Sequence, residues 1–335
     1  MKNKKDILVD KFKRKHTYLR ISLTEHCNLR CTYCMPQSGV TLTPSSQLMT
    51  ADEIFQIAQV FVENGVDKIR LTGGEPFVRK DFKEILSKLS SLNVSIAITT
   101  NGVTIDQHIE TLKKNRVSII NLSLDTLNAK KFNSITLRSH FEKVYGNMLL
   151  LINEGFRVKV NIVLLKNVND NELIDFIELT KELPISIRFI EFMPFDGNQW
   201  DRSKTISLED IKKSILEAYK PDDIVRLEDA PNDTAKNYKI KGYKGSYAII
   251  STVTNPFCDS CNRIRLTANG RLKNCLFSEK ERDLLTALRN KEDIRPLIEK
   301  EIKLKAAVRA GLDSPEKFDN PEHHQKNRSM IRIGG

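Results

Sequence analysis

The alternation of strand-like and helix-like segments between residues 18 and about 192 most narrows the folds open to this chain. Short apolar segments predict strands, and amphipathic helices lie between several of them. Strand–helix repeats of this kind predict an α/β fold with a parallel sheet and right-handed crossovers, either open and doubly wound or curled into a barrel. The predicted strands are residues 19–23, 68–71, 95–99, 119–124, 157–165 and 186–192.

End signals and apolar spacing locate the helices. Thr50 to Glu53 is a capping-box sequence ahead of apolar residues at helical spacing, and Gly65 follows as a stop signal. The same spacing predicts helices within residues 82–89 and 171–182. The C-terminal part is predicted to contain a helix over 207–219, a hairpin over 238–251 and helical segments over 279–310.

Polar, cysteine and glycine residues collect at or just past the C-terminal ends of the predicted strands. In a β/α barrel those ends converge on one mouth, whereas an open sheet spreads them along an edge. We therefore predict an incomplete (β/α)6 TIM-type barrel over residues 15–200 and a distinct C-terminal region over residues 201–335. The strand-end residues are Cys27, Gly73 to Pro76, Thr99 to Gly102, Ser123 and Glu191 to Met193.

The composition of the chain limits the kinds of molecule that it can bind. Lys and Arg outnumber Asp and Glu by 54 to 43, a net charge of +11, which favours an anionic partner such as nucleic acid, a membrane surface or a phosphorylated small molecule. The sequence has no run near the roughly 18 apolar residues of a membrane span and no signal peptide. We therefore expect a cytoplasmic protein whose cysteines bind metal instead of forming disulfides.

All 6 cysteines fall into two triplets, spaced C-x3-C-x2-C and C-x2-C-x13-C. A structural zinc site normally needs four ligands, and an iron–sulfur cubane has four corners. Three thiolates therefore leave one corner of a cubane open for chemistry. For the first triplet the alternative is a zinc site completed by His26. The triplets are Cys27, Cys31 and Cys34, and Cys258, Cys261 and Cys275.

Taken in order, these motifs resemble a known superfamily. The first triplet, with Tyr33 before its third cysteine, and Gly-Gly-Glu-Pro at residues 73–76 are similar to the signature of radical S-adenosylmethionine (SAM) enzymes. The segment Cys258 to Leu266, the sequence around Cys275 and the terminal Gly-Gly resemble the GTP 3′,8-cyclases of molybdenum cofactor biosynthesis. The resemblance covers residues 18–335.

The resemblance implies a set of cofactors. Each cysteine triplet would hold a [4Fe–4S] cluster. SAM would chelate the open iron of the first cluster through its amino and carboxylate groups, and an electron from that cluster would release a 5′-deoxyadenosyl radical. The implied SAM contacts are Tyr33, Gly74, Glu75, Ser123 and Met193.

The resemblance also implies GTP as the substrate, with its guanine at the open iron of the second cluster and with Arg263 and Arg265 contacting the nucleotide. A triphosphate needs several cationic partners when it is buried. A lysine or arginine in a strand is more often a rim charge, but the match to family positions reverses that reading. Lys68 fits less strongly than the others. The implied phosphate and ribose contacts are Arg20, Arg70, Thr99, Lys159 and Arg188.

The turn between Cys261 and Cys275 determines on which face of the hairpin Arg263 and Arg265 lie. Asn269-Gly270 predicts a two-residue type I′ hairpin. In that register Cys275 faces Ile264, and Arg263 and Arg265 lie on the opposite face. Their contact with the cluster would then require a bulge or a curled loop. Outside these motifs, Trp200 is predicted to pack, whereas the terminal Gly-Gly is implied to enter the active site.

The resemblance implies an enzyme that takes a hydrogen atom from C3′ of GTP, after which the sugar radical attacks C8 of guanine. Two alternatives are a radical SAM enzyme that modifies RNA or a peptide, and a non-enzymatic zinc module that binds nucleic acid. The expected partners are a one-electron reductant of flavodoxin or ferredoxin type and a downstream pyranopterin synthase. A homodimer stays open, and neither a membrane nor nucleic acid is expected.

Overall fold

The computed structural model describes residues 6–36 and 38–334. Its 12 strands form one sheet, in the order β12-β11-β10-β1-β2-β3-β4-β5-β6-β9-β8-β7. The strands are β1 (Tyr18–Ser22), β2 (Lys68–Thr72), β3 (Ser95–Thr100), β4 (Ile119–Ser123), β5 (Arg157–Leu164), β6 (Ser186–Glu191), β7 (Ile224–Arg226), β8 (Lys236–Ile240), β9 (Ser246–Ile250), β10 (Arg263–Leu266), β11 (Arg271–Lys273) and β12 (Arg282–Asp283).

The first six strands form the predicted partial barrel. Neighbouring strands from β1 to β6 pair in parallel and in chain order. β1 is flanked by β2 and β10, and β6 by β5 and β9, so the barrel stays open along one side. All six predicted strands are present, with ends that differ by one residue at most. The incomplete TIM-type barrel is therefore confirmed.

Helices cover the outside of the barrel. The Thr50 capping box is formed, and it starts α1 with Ile54, Ile57 and Phe61 buried. The predicted helices of residues 82–89, 171–182 and 207–219 are also present. The α-helices are α1 (Ala51–Glu63), α2 (Phe82–Ser90), α3 (Ile109–Lys114), α4 (Ala129–Thr136), α5 (Phe141–Asn153), α6 (Leu173–Glu182), α7 (Leu208–Ala218), α8 (Leu285–Arg289), α9 (Arg295–Lys303), α10 (Pro315–Asp319), α11 (Pro321–Gln325) and α12 (Met330–Ile333).

Strand β5 shows how the barrel separates its two faces. After the exposed Arg157, its residues alternate between buried and half-buried positions. Val158 and Val160 belong to the apolar core, whereas Lys159 and Asn161 line an internal cavity. Because side chains of a strand alternate between faces, apolar residues pack outward against the helices and polar ones face the barrel interior.

The C-terminal region extends the sheet at both edges. The predicted hairpin of residues 238–251 is formed by antiparallel β8 and β9, and β9 then pairs in parallel with β6. On the other edge β10 pairs in parallel with β1. The helical segments predicted over residues 279–310 are present from Leu285 onward, whereas Arg282–Asp283 ahead of them pairs with β11 as a short strand.

This topology puts the two cysteine triplets at opposite ends of the barrel. The first triplet follows β1 and therefore lies at the C-terminal end of the parallel strands. Cys258 and Cys261 precede β10, which runs parallel to β1, and Cys275 follows the antiparallel β11. All three residues of the second triplet therefore lie at the N-terminal end of the parallel strands. No described helix is long and apolar enough to cross a membrane.

Candidate active site

The first triplet sits on a loop that the neighbouring strand ends hold in place. The Sγ atom of Cys27 accepts from the backbone N–H of Leu29 at 3.4 Å and from Nδ2 of Asn101 at 3.7 Å. The same Nδ2 donates to Oδ1 of Asn28 at 2.7 Å. Since Asn101 directly follows β3, the loops after β1 and β3 meet as the barrel prediction requires.

The Gly-Gly-Glu-Pro sequence packs directly on the backbone that leads into the cysteine loop. The Gly74 N–H donates to the Thr24 carbonyl at 2.7 Å, and the Glu75 N–H donates to the His26 carbonyl at 2.8 Å. A Cβ atom at Gly74 would overlap the His26 carbonyl oxygen, so only glycine fits there. The sequence predicts that another group comes close to the backbone at Gly74. In the structure, one such group is the backbone of His26.

The Glu75 carboxylate connects the ends of β2 and β3. It is 1% exposed and accepts from Thr100 Oγ1 at 2.8 Å, from the Asn101 N–H at 2.7 Å and from the Phe77 N–H at 3.2 Å. Burial raises its pKa to about 7 even though these donors lower it. A carboxylate has about four lone-pair sites, so the oxygens retain capacity for one more donor, such as an ammonium.

Tyr33 is fixed by a carboxylate that the sequence analysis missed. Its hydroxyl donates to Oδ2 of Asp125 at 2.7 Å, and Oδ1 of Asp125 accepts from the Val163 N–H at 2.8 Å. Burial raises the pKa of Asp125 to about 6. Its position shortly after β4 is the same strand-end signal that picked out Ser123, which ends β4 and is half-buried.

The thiols of the first triplet need a bound cation to ionise. Burial raises the pKa of Cys27 to about 11 and that of Cys34 to about 12. Among residues 6–36 and 38–334, no three His, Cys, Asp or Glu side chains are arranged to hold a single metal ion. Three thiols on one loop are the donor set of an iron–sulfur cubane with one open corner.

The hairpin between β10 and β11 differs from its predicted register. Arg265 pairs with Lys273, and the Thr267 N–H donates to the Arg271 carbonyl at 2.9 Å, so the turn holds three residues. Gly270 has φ +68°, which is the left-handed residue that ends such loops. The predicted two-residue type I′ turn is wrong. A shift of one residue exchanges the faces of a strand, so in this register Cys275 lies on the same face as Arg265.

Cations surround the second triplet. Cys261 Sγ accepts from Nη2 of Arg263 at 3.4 Å and from Nζ of Lys305 at 3.6 Å, and Cys258 Sγ accepts from the Arg309 N–H at 3.4 Å. Burial raises the pKa of Cys261, but Arg263 and Lys305 outweigh it and bring the pKa to about 6. Lys305 and Arg309 lie in a region without a recognisable motif, so no local signal identified them.

A cavity of about 520 Å³ joins the second triplet to the barrel interior. The predicted residue Thr99 lies beside it and accepts from Nη1 of Arg70 at 3.4 Å. Met193, a predicted SAM contact, lines the same cavity as the predicted substrate contacts. The first triplet, Tyr33, Gly74, Glu75 and Ser123 are not part of its lining. The predicted substrate and cluster residues in the lining are Arg20, Lys68, Arg70, Lys159, Arg188, Arg263, Arg265, Cys258, Cys261 and Cys275.

The cavity has the electrostatics of an anion site. The Nε atoms of Arg20, Arg70 and Arg188 are buried and have no hydrogen-bond partner. Burial, followed by the charge of Arg188, lowers the pKa of Lys159 to about 8. Buried cations with unpaired nitrogens are costly, so their concentration here favours a polyanionic ligand. Asp233, which also lines the cavity and was not predicted, is a nearby carboxylate.

Gly334, the last described residue, contacts side chains of β1, β2 and β10. The Gly334 carbonyl accepts from Nη1 of Arg265 at 3.4 Å, and a Cβ at Gly334 would lie 2.5 Å from Oγ1 of Thr72. Gly334 therefore reaches the C-terminal end of β2, whereas Gly335 lies outside the described residues.

Trp200 donates to the Phe192 carbonyl at 2.9 Å and packs on Phe318, in agreement with its predicted packing role.

Family models match both halves of the chain. One described as Radical SAM superfamily matches residues 21–180, and one described as Molybdenum Cofactor Synthesis C matches residues 185–310. The mitochondrial GTP 3′,8-cyclase of Arabidopsis thaliana is 46% identical over 98% of this chain and 84% of its own length. The GTP 3′,8-cyclase of Listeria monocytogenes is 39% identical over 95% of this chain and 92% of its own length. These matches confirm the resemblance.

Longer relatives and one solved structure are also similar to this chain. Molybdenum cofactor biosynthesis protein 1 of Homo sapiens is 42% identical over 97% of this chain, and the chain spans 51% of that protein. The chain likewise spans about half of several other proteins with that name. The structure of Streptococcus suis SuiB bound to S-adenosylmethionine has a TM-score of 0.60 at 17% identity and covers 84% of this chain and 65% of SuiB. That likeness concerns the fold.

Proposed function

The chain belongs to the GTP 3′,8-cyclase family of the radical SAM superfamily, and we propose that it converts GTP to (8S)-3′,8-cyclo-7,8-dihydroguanosine 5′-triphosphate. This reaction is the first step of molybdenum cofactor biosynthesis. Membership of the superfamily implies SAM and a [4Fe–4S] cluster, for which the first triplet provides three thiolate ligands.

The cationic cavity between the two triplets is the observation that carries the proposal. Arg20, Arg70, Lys159 and Arg188 face one space, and three of them have buried nitrogens without partners. A nucleoside triphosphate supplies the charge that these groups require. An RNA or peptide substrate would need an extended groove, whereas this space of about 520 Å³ suits one small molecule.

The first triplet, outside the cavity lining, and the second triplet, within it, would have different roles. When bound, the first cluster and SAM supply the radical that takes the hydrogen atom from C3′. The chain holds GTP by its phosphates, with the ribose directed towards the first triplet and the guanine towards the second. Thr99, hydrogen-bonded to Arg70, and Met193, in the lining, are close enough to the cavity to contact a nucleotide held there.

The second triplet is proposed to hold a further [4Fe–4S] cluster whose open iron binds guanine. Its donor set supports this, because three cysteines lie among cations that stabilise thiolates. Arg263 and Arg265 line the same cavity, so either guanidinium can reach a nucleotide held there. In this scheme residues 15–200 generate the radical, and residues 201–335 bind the second cluster and much of the substrate.

The proposed partners follow from the reaction. SAM cleavage needs single electrons, so we expect a reductant of flavodoxin or ferredoxin type. The cyclised nucleotide would pass to a pyranopterin synthase. We place the enzyme in the reducing cytoplasm, where its cysteines, all free in the structure, can remain ligands. A homodimer is compatible with the proposal but is not required by it.

Anaerobic incubation with SAM, GTP and a one-electron reductant tests the function. We expect 5′-deoxyadenosine and a cyclised GTP product to accumulate together, with no product from ATP. Parallel incubations with an RNA oligonucleotide or a peptide test the alternative substrates. SAM cleavage that leaves GTP unchanged while RNA or peptide is modified would refute the proposal.

A further inference from the structure

Arg14 lies in the segment that precedes β1 and is not part of the cavity lining, yet it contacts the surroundings of the second triplet. Its Nη1 donates to the carbonyl oxygen of Cys258 at 2.9 Å and to that of Ala307 at 2.8 Å. Its Nη2 donates to the carbonyl oxygen of Ala306 at 2.7 Å. One guanidinium thus joins three parts of the chain that are far apart in sequence.

Asp10 orients this guanidinium. Nε of Arg14 donates to Oδ2 of Asp10 at 2.6 Å, while Oδ1 of Asp10 accepts from the N–H groups of Phe12 at 2.9 Å and Arg14 at 3.0 Å. Asp10 is 2% exposed and Arg14 is 9% exposed. The carboxylate balances the buried charge and leaves the planar fork directed at the carbonyls.

The two loops that Arg14 holds supply groups to the sulfur atoms. The first loop carries Cys258 itself. The second, residues 305–309, brings Lys305 Nζ to within 3.6 Å of Cys261 Sγ and the Arg309 N–H to within 3.4 Å of Cys258 Sγ. Lys305 also donates to the Arg263 carbonyl at 2.9 Å. A change in the spacing of these loops therefore moves a ligand and its donors relative to each other.

We propose that Arg14, oriented by Asp10, is a positioning residue for the second [4Fe–4S] cluster. It sets the spacing between the Cys258 loop and residues 305–309 without touching the cluster or the nucleotide. The inference rests on the proposed function for the existence of that cluster. Because the contacts depend on a planar fork with several donors, a lysine at this position keeps the charge but not the geometry.

The test compares iron and sulfide contents of anaerobically purified full-length variants. Wild type and the neighbouring Lys15→Gln control, whose side chain is 53% exposed and pairs with Asp6, should bind about eight irons per chain. Arg14→Gln should bind about four, and Arg14→Lys an intermediate number, while GTP-independent SAM cleavage by the first cluster stays within twofold of wild type. If Arg14 had a merely structural role, the iron content of both clusters would fall together.

A second variant keeps the test informative if Arg14→Gln does not fold. Asp10→Asn leaves the guanidinium in place but removes its orienting charge, and it should also lose iron selectively from the second cluster. Wild-type iron content and second-cluster spectra in Arg14→Lys and Asp10→Asn would overturn the proposal. If wild type itself binds only about four irons, the second cluster of the proposed function is refuted instead.

Discussion

Replacing Lys159 by methionine is expected to weaken GTP binding about 10- to 150-fold at pH 7, with little effect on guanosine. Lys159 lies on β5, faces the cavity and has Arg188 as a cationic neighbour. A hydrogen bond to a charged group contributes about 1.5–3 kcal/mol, which corresponds to that range of Kd. Methionine keeps most of the volume and removes the charge.

Anaerobic titration calorimetry with GTP and with guanosine measures the two affinities. Arg157→Met is the matched control, because Arg157 begins the same strand, is exposed and lies outside the cavity lining. It should leave both affinities unchanged. Equal losses for GTP and guanosine in Lys159→Met, or no loss for either, would remove Lys159 from the phosphate site.

The pH dependence gives an independent check on the same residue. Burial and then Arg188 lower the pKa of Lys159 from 10.5 to about 8, so its neutral form becomes populated as the pH rises through 8. A bound triphosphate favours the charged form, so binding takes up a proton and GTP affinity should fall above pH 8. Lys159→Arg stays charged and should show a flatter profile. Identical profiles for the two proteins would contradict this assignment.

Three further predictions address the two clusters and the fold. Cys258→Ala should lower the iron content from about eight to about four per chain and abolish GTP conversion, while SAM cleavage continues. Loss of both reactions would show that the two sites are not separate. Gly74→Ala should disrupt the first cluster, because its Cβ would overlap the His26 carbonyl. Gly146→Ala, in open space on α5, is the control and should be neutral or stabilising. Iron content and thermal unfolding of the two variants measure the difference. Thr50→Ala removes a cap bond and should lower the free energy of unfolding by about 1 kcal/mol in denaturant titrations, and an unchanged midpoint would contradict that role.

Local patterns were enough to predict the barrel. Period and end signals identified β1 to β6 and the capping box of Thr50, because those features depend on neighbours in sequence. The first triplet and Gly74 could be placed together because parallel strand ends converge. Helix α5 was not predicted, since Gly146 and the aromatic residues in it weaken the local helix signal.

Features that depend on exact register or on distant contacts were not predictable. A single extra residue in the turn at Gly270 moved Cys275 to the face of Arg265, and the dipeptide alone does not specify that turn length. Lys305 reaches Cys261 from 44 residues away. The position of the second triplet at the opposite end of the barrel became visible only when the pairing of β10 with β1 was known.

In the proposed mechanism the cavity presents C3′ of GTP to the radical formed at the first triplet. Incubation with GTP deuterated at C3′, SAM and a reductant under anaerobic conditions tests it, with mass spectrometry of the nucleosides. We expect deuterium to appear in 5′-deoxyadenosine and the cyclised product to carry a C3′–C8 bond. Unlabelled 5′-deoxyadenosine, with deuterium retained in the nucleotide, would contradict it.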